Sequence, residues 1–212
     1  LKVTSEKVSD SEIASFLTVF NMRNITLNEI LGFRKAMLKQ CLTIDLLAFN
    51  PMDVCGTGGD GKNTFNISTL TAFVLAGAGI PVAKHGNYGV SSVSGSSNVL
   101  EFLGISFTNK EDYLKEQLHR ANICFLHAPL FHPAMKSVAP IRKQLGTKTF
   151  FNMLGPLTNP SQPNIQMVGL YNLELLRLYQ YLFQENQTQF SIIHALDGYD
   201  EITLTNQVKI NQ

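Results

Sequence analysis

Short apolar runs alternate with segments of helical periodicity from Met52 onward. A parallel sheet with crossover helices produces this alternation, because each connection must return the chain to the same end of the sheet. The pattern therefore predicts an α/β fold with a mostly parallel central sheet. The predicted strands lie near Asp53–Cys55, Val82–Lys84, Ile123–Leu126, Gln166–Leu170 and Ser191–His194, and the predicted helices near Ser68–Gly77, Val93–Leu103, Glu111–Arg120, Pro133–Leu145 and Leu173–Glu185.

The first fifty residues predict helices only. The segments that start at Ser9 and at Thr26 both match the capping box, whose side chains satisfy free N–H groups at a helix start. We therefore predict a small helical domain over residues 1–50 and a large α/β domain over residues 51–212. The expected apolar faces are Ile13, Phe16, Leu17 and Phe20 in the first helix and Ile30, Phe33, Met37 and Leu38 in the second, with Phe65, Phe73 and Phe102 expected in the core of the other domain.

The last strand-like segments, Glu201–Leu204 and Gln207–Ile210, predict a hairpin over Thr205 and Asn206. A mostly parallel sheet is buried on both faces, and no further helix pattern follows to provide that cover. We therefore expect this sequence to be a fragment whose C-terminal part supplies it.

Composition favours a globular protein with much apolar surface to bury. Charged residues make up 16% of the sequence and hydrophobic residues 44%, so apolar surface must lie in the interior or in a subunit contact. The net charge of +1 provides no field that would attract nucleic acid or an anionic membrane, and no apolar stretch has the length of a membrane span. We therefore expect neither as a partner.

The three cysteines, Cys41, Cys55 and Cys124, are odd in number and widely spaced. They contain no C-x-x-C pair, and two of them lie in apolar strand-like runs, which is typical of small buried residues. A reduced cytoplasm is the setting we expect for such a chain.

A glycine-rich loop separates the first predicted strand from its helix. Four glycines between Gly56 and Gly61 let the backbone adopt conformations that a side chain would forbid and approach a ligand closely. The helix that starts near Ser68 points its free N–H groups toward an anion held there. Because the loop matches neither G-x-x-x-x-G-K-[ST] nor G-x-G-x-x-G, it predicts a phosphate site of another type, with a plain surface turn as the alternative.

A second polar loop, from Lys84 to Ser92, follows the second predicted strand directly. It contains a lysine, two glycines and two serines, and Ser96 follows near the start of another helix. Loops after parallel strands meet at the carboxyl edge of the sheet, where α/β proteins bind their ligands. Two such loops at one edge suit a diphosphate better than a single phosphate.

Five motifs occur in order over essentially the whole chain: G-T-G-G-D-G-x-x-T-F-N-I-S-T from Gly56, K-H-G-N-x-x-x-S-S from Lys84, H-P-A-M-K from His132, F-N-x-L-G-P-L-x-N-P from Phe151 and D-G-x-D-E-I from Asp197. Together they resemble the anthranilate phosphoribosyltransferase family. The resemblance implies a nucleoside phosphorylase-like α/β domain beside a small helical domain, and a homodimer formed through the helical domain. It also implies phosphoribosyl transfer from phosphoribosyl pyrophosphate to anthranilate in tryptophan biosynthesis, with Mg²⁺ as cofactor.

The same resemblance implies a role for individual residues. Anthranilate would contact Gly56, Asn87 and Arg142, and a planar guanidinium such as that of Arg142 suits a carboxylate. Ser68, Asp200 and Glu201 would hold Mg²⁺, which prefers oxygen ligands. The implied contacts to phosphoribosyl pyrophosphate are Gly56, Gly59, Asp60, Thr64, Asn66, Ile67, Ser68, Thr69, Lys84, His85, Gly86, Asn87, Tyr88, Gly89, Val90, Ser91, Ser92 and Ser96.

Two positions depart from the common family pattern. Tyr88 stands where an arginine is common, and Asn98 where an aspartate is common. A tyrosine cannot supply the positive charge, so only the backbone role implied at Tyr88 is retained. His85 is open between an active-site donor and a histidine satisfied by backbone groups, and no general acid or base is assigned.

Two other functions compete with this interpretation. A pyrimidine nucleoside phosphorylase would share the fold, but its first loop is of the K-H-S-T-G-G type, and residues 53–59 contain neither the lysine nor the histidine. A relative that binds nucleic acid without catalysis would need a basic surface, which the near-neutral charge disfavours.

Overall fold

A twisted sheet forms the centre of the computed structural model, which describes residue 4 and residues 8–89 and 94–212. Its strand order is β3-β2-β1-β4-β5-β6. The first five strands run parallel, and β6 pairs antiparallel with β5. This arrangement confirms the predicted α/β fold with a mostly parallel sheet. The strands are β1 Met52–Gly56, β2 Val82–Gly86, β3 Ile123–His127, β4 Ile165–Gly169, β5 Gln189–Ala195 and β6 Val208–Asn211.

The order of the strands creates a switch point between β1 and β4. From β1 the chain proceeds outward through β2 to β3, then returns to the other side of β1 and proceeds outward again through β4 and β5. Connections that leave neighbouring strands in opposite directions open a crevice at their carboxyl ends. Gly56 and Gly169, paired in register at the ends of β1 and β4, mark this crevice.

Most predicted helices are confirmed within a few residues. The capping boxes of Ser9 with Glu12 and of Thr26 with Glu29 both form as expected. The helices are α1 Asp10–Met22, α2 Leu27–Lys39, α3 Ile67–Gly77, α4 Ser96–Phe102, α5 Glu111–Ala121, α6 Ala128–Phe131, α7 Ala139–Leu145, α8 Phe151–Leu154 and α9 Leu173–Glu185.

One predicted helix was too long. A continuous helix over Pro133–Leu145 is not formed; a 3-10 turn over Pro133–Met135 is followed by α7, which starts at Ala139. Pro140 lies in the first turn of α7. Proline has no N–H to donate and its ring collides with the preceding turn, so the helix begins beside Pro140 instead of running through it.

The predicted C-terminal hairpin was wrong as well. Residues 201–204 form no strand, and β6 pairs with β5, with Ile210 opposite Ile193. Both segments have a strand-like composition, but composition does not determine which neighbouring strand a segment pairs with. Here β6 pairs with β5, which lies further back along the chain. The segment between these two strands contains Asp200 and Glu201 and places them at the cleft.

The helical hairpin of α1 and α2 packs on the α/β part through an aromatic cluster. Phe150 stacks on Phe33 with ring centroids 4.4 Å apart and meets Phe20 edge-on at 4.9 Å and Phe16 at 6.0 Å. Arg34 adds a hydrogen bond between the helical hairpin and the α/β part, because its Nε donates to the Leu157 carbonyl oxygen at 3.0 Å. The predicted inward faces of both helices are thus largely confirmed, and the proposed boundary at residue 50 stays a prediction.

Of the three other aromatic residues expected in the core, only one is even partly buried. Phe73 packs partly buried against the cluster of Ala72, Val82 and Phe125, whereas Phe65 is 67% exposed and Phe102 is 90% exposed. Within the described part of the chain, no helix combines the length and apolarity that a membrane crossing requires.

Replacement of Phe150 by alanine should separate the helical hairpin from the α/β part. The side chain is 1% exposed and contacts aromatic rings of both α1 and α2, so the expected loss in free energy of unfolding is about 3–5 kcal/mol. Urea unfolding followed by circular dichroism measures it. Phe102→Ala, at an exposed site, is the matched control and should change stability by less than about 0.5 kcal/mol; equal losses in the two variants would contradict this packing.

Candidate functional site

The carboxyl ends of β1 and β2 open into a cleft of about 300 Å³. The two polar loops predicted to meet at this edge line it together, joined by residues from α7 and from the segment after β5. The sequence-predicted residues that line the cleft are Gly56, Gly59, Asp60, Thr64, Asn66, Ile67, Ser68, Lys84, His85, Gly86, Asn87, Tyr88, Gly89, Ser96, Arg142, Asp200 and Glu201.

Four predicted residues do not appear among them. Thr69 lies one residue beyond the lining part of α3, with its side chain buried at 3% exposure. Val90, Ser91 and Ser92 fall outside the described residues.

The first loop needs its glycines for two different reasons. Gly58, Gly59 and Gly61 have φ values of 62°, 78° and 74°, in the left-handed region that favours glycine. Gly56 instead permits close approach, because a Cβ there would lie 2.6 Å from Asp200 Oδ2. The Gly58 N–H donates to the same oxygen at 3.1 Å. The glycines therefore allow the loop backbone to pack closely against the segment that contains Asp200.

Lys84 forms the positively charged floor of the cleft. Its side chain is 2% exposed, and Nζ donates to the Val54 carbonyl oxygen at 2.5 Å and to Ser68 Oγ at 3.3 Å. Burial lowers the pKa of this ammonium group, while nearby acidic groups, Asp53 among them, act against that shift. Two partners leave one of the three ammonium protons for a ligand.

His85 lies beside the lysine, and its tautomer follows from its contacts. Its Nδ1 lies 3.1 Å from the Gly155 carbonyl oxygen, which can only accept, so Nδ1 carries the proton. Nε2 is then an acceptor, and it has no partner among the described residues. Burial lowers the pKa of His85 to about 4. The imidazole is neutral near pH 7, which makes it an acceptor in the cleft and no source of positive charge.

His132 packs against His85, with ring centroids 5.3 Å apart. Its Nε2 lies 3.0 Å from the Thr158 carbonyl oxygen, and burial lowers its pKa to about 4 as well. The sequence placed His132 in a motif without assigning it a role. The structure places its ring against that of His85, below the cleft.

Three carboxylates face one another at the side of the cleft. Oxygen atoms of Asp60, Asp200 and Glu201 all lie within 4.8 Å of one another. Burial and the charge of Asp200 raise the pKa of Glu201 to about 8, and burial with the charge of Asp60 raises that of Asp200. Like charges this close disfavour ionisation unless a cation joins them, so the cluster can hold a divalent metal ion.

Arg142 reaches the cleft from α7. Burial lowers the pKa of its guanidinium to about 10, so it is still positive near pH 7. Nη2 donates to Asn152 Oδ1 at 3.2 Å, and the guanidinium lies 5.4 Å from the centre of the Phe151 ring. Its Nε has no partner among the described residues. The side chain is thus held in place with a donor left over for an anion.

Sequence reasoning missed several polar residues of the site. Lys62 lines the cleft, with Nζ 4.5 Å from the centre of the Tyr199 ring, and its position inside the glycine loop was an available signal. Asn152 also lines it, from a motif quoted without a role for that residue. Lys148 lies over Tyr171 at 4.2 Å and would touch a side chain at Gly59; no local pattern pointed to it.

The fold and cleft together define an α/β protein with a polar cleft, suited to an anionic ligand, at the carboxyl edge of a parallel sheet. The sequence profile of the glycosyl transferase family, a/b domain, matches residues 49–212, and that of the helical bundle domain of the same family matches residues 2–41. The chain belongs to this glycosyl transferase family.

Curated relatives confirm the resemblance drawn from the motifs. Anthranilate phosphoribosyltransferase of Flavobacterium psychrophilum is 63% identical over 209 residues, which cover 99% of this chain and 63% of the relative. The enzyme of that name from Bacteroides thetaiotaomicron is 57% identical over 208 residues, which cover 98% and 63%. The chain therefore spans a little under two thirds of the length of these relatives.

Solved structures agree with the fold. Anthranilate phosphoribosyltransferase from Thermus thermophilus superposes with a TM-score of 0.87 at 35% identity, over 98% of this chain and 63% of the other. The enzyme from Saccharomyces cerevisiae, solved in complex with phosphoribosyl pyrophosphate and Mg, also gives 0.87, at 31% identity over 98% and 61%.

Acid should destabilise the protein partly through His132. Its pKa is about 6.5 unfolded and about 4 folded, so the unfolded chain binds more protons between these values. Its contribution to stability is complete above pH 6.5 and is lost as the pH falls toward 4. His132→Gln, which cannot titrate, should reduce that acid-induced loss by roughly 2–3 kcal/mol.

Thermal unfolding measured at pH 7, 5.5 and 4.5 tests this expectation. His119→Gln, on the exposed side of α5, is the matched control and should keep the pH dependence of the parent protein. A slope that is the same in the His132 variant and in the parent would contradict the neutral, buried state of His132.

Proposed function

We propose that this protein transfers the phosphoribosyl group of phosphoribosyl pyrophosphate to the amine of anthranilate, as part of tryptophan biosynthesis. The observation that carries the proposal is the convergence on one cleft of a glycine loop, a buried lysine and three carboxylates. A phosphate ester bound with a divalent cation needs all three, because phosphate oxygens require donors and the metal requires oxygen ligands. The names of the relatives supply the chemical identity of the substrates.

The pyrophosphate is proposed to lie between the two loops. Gly58, Gly59 and Asp60 of the first loop line the cleft together with Lys84, and so do Ile67 and Ser68 at the start of α3. Donors and a cation arranged before the substrate arrives stabilise charge as it develops on a leaving group. The roles assigned above to the residues of both loops are part of this proposal.

Mg²⁺ is the metal we propose for the acidic cluster. The donor set fits, because Asp60, Asp200 and Glu201 offer only oxygen and lie close enough to share one ion. Glu201 Oε2 and Asp60 Oδ2 are buried and lack partners among the described residues, which a cation would correct. Ser68, the fourth proposed ligand, lines the same cleft. When bound, the metal would neutralise charge on the pyrophosphate.

Anthranilate is proposed to bind on the α7 side of the cleft. Arg142 offers a partly free guanidinium in a partly buried setting, where pairing with a carboxylate gains more than at an exposed surface. Gly56 and Asn87 line the same cavity and are the other proposed contacts. Asn152 would then act as a positioning residue, since its amide oxygen fixes the arginine.

The reaction proposed is a displacement at the anomeric carbon. The anthranilate nitrogen forms the new C–N bond while the C–O bond to pyrophosphate breaks, and the amine loses its proton afterwards. Holding the two substrates in line accounts for much of the rate gain. Lys84 and the loop N–H groups stabilise the departing pyrophosphate. His85, neutral with Nε2 as an acceptor, is a candidate for the released proton.

We also propose a homodimer formed through the helical unit, in a reducing compartment such as the cytoplasm. The support for the dimer is an exposed apolar edge on α1, where Val19 is 49% and Met22 84% exposed. The support for the compartment is that Cys41, Cys55 and Cys124 are all unpaired.

Anthranilate fluorescence gives a direct test of the reaction. The signal of anthranilate should fall when full-length protein is mixed with phosphoribosyl pyrophosphate and Mg²⁺, because the product amine is substituted. Omission of phosphoribosyl pyrophosphate is the control and should leave the signal constant. An unchanged signal in the complete mixture, together with retained binding to DNA, would favour the non-catalytic alternative.

Asp200→Asn with Glu201→Gln should lower turnover far more than it weakens anthranilate binding. The pair would support the leaving group, while anthranilate is assigned to Arg142, so we expect a loss in kcat of at least about 100-fold with anthranilate affinity changed by less than about threefold. Steady-state kinetics over a range of Mg²⁺ concentrations measures both effects. Full turnover of the double variant at saturating Mg²⁺ would refute the metal assignment.

A further inference from the structure

The side chain of Tyr88, the residue that departs most from the family pattern, makes two contacts with neighbouring elements. Its hydroxyl donates to Glu101 Oε1 at 2.5 Å, and this bond raises the pKa of the phenol. The Tyr88 ring meets the His127 imidazole edge-on, with centroids 4.9 Å apart at 82°. A side chain with these two contacts is directed onto α4 and the end of β3.

The imidazole under Tyr88 is itself fixed from two directions. Phe107 stacks on His127 with centroids 4.3 Å apart at 12°. Ser97 Oγ and His127 Nδ1 lie 2.8 Å apart and form a buried hydrogen bond. Tyr88 therefore rests on a rigid aromatic surface, which limits the positions that its ring can adopt.

Asn98, the other departure, acts on the same piece of chain. Its Oδ1 accepts the Gly89 N–H at 3.1 Å and the Gly95 N–H at 2.9 Å. Asn98 and Glu101 are three residues apart and so lie on the same side of α4. The two unusual residues thus make two hydrogen bonds between the end of the second loop and one short helix, and Asn98 also caps that helix through the Gly95 N–H.

We infer that Tyr88 is a positioning residue, which with Glu101 and Asn98 fixes the Gly86–Gly89 backbone on α4 for substrate binding. The inference rests on the proposed function, since it concerns the loop assigned to phosphoribosyl pyrophosphate. It gives the Tyr88 side chain a role that needs no positive charge. The neutral amide of Asn98 suits this arrangement, because an aspartate there would add a second carboxylate one helical turn from Glu101.

The geometry distinguishes this role from that of a surface tyrosine. Tyr88 is 38% exposed, so burial alone would not hold it. Asn87 and Gly89, its neighbours on either side, both line the cleft. Release of the hydroxyl therefore frees the backbone at the substrate, while the fold itself loses only one partly exposed hydrogen bond.

Tyr88→Phe in the full-length protein tests the inference by two independent measurements. First, hydrogen exchange of the amides at residues 86–89 should become at least about threefold faster, as expected for loss of one hydrogen bond. Second, KM for phosphoribosyl pyrophosphate should rise about fivefold, while kcat should change less than about twofold. Glu101→Ala should reproduce both effects, and Glu101→Gln, which keeps an acceptor oxygen, should restore most of the binding. Tyr113→Phe, an exposed tyrosine on α5, is the matched control and should change neither.

The double variant Tyr88→Phe with Glu101→Ala should behave like either single variant, because both remove the same bond. Additive effects, unchanged exchange at residues 86–89, or faster exchange with unchanged KM would each overturn the inference. If the parent protein transfers no phosphoribosyl group, the proposed function fails; the exchange rates and the affinity for magnesium pyrophosphate then decide the role of Tyr88 by themselves.

Discussion

The rest of the site depends on one buried cation. Lys84 lies inside the sheet between β1 and the start of α3, bonded to a backbone carbonyl of one and a hydroxyl of the other. Asp53 is a buried acid nearby, which acts against the lowering of the lysine pKa by burial, and its Oδ1 accepts the His85 N–H at 3.1 Å. A buried charge of this kind adds little to stability, because desolvation offsets the attraction. Its effect is to place a positive charge and a neutral imidazole at fixed points below the cleft.

The opposite side of the cleft complements that charge. Asp200 approaches so closely that any side chain at Gly56 or Gly169 would collide with it, and this contact brings the carboxylates against the glycine loop. The positive floor and the acidic wall line the same cleft. Phosphate groups with a divalent cation would satisfy both surfaces, which supports the phosphoryl ligand proposed above.

Much of the fold could be predicted from the sequence because strands and helices of this class have strong local patterns. The five parallel strands and helices such as Leu173–Glu185 follow from apolar runs and periodicity, and both capping boxes near the N-terminus formed as expected. Errors arose where a local pattern permits two outcomes. The composition of Gln207–Ile210 predicts a strand whichever neighbour it pairs with. Phe65 and Phe102 are exposed and Phe150 is buried, but all three are the same residue type, so composition does not distinguish them.

The sequence by itself determined which residue types meet at the sheet edge, because loops after parallel strands converge there whatever else the chain does. It also indicated the glycine conformations, since Gly58, Gly59 and Gly61 all have positive φ. Only the tertiary structure decided the contacts between distant segments: His132 beside His85, Lys148 above Gly59, and Tyr88 turned toward Glu101. Such contacts depend on how elements far apart in the chain pack against each other, and no local pattern records that.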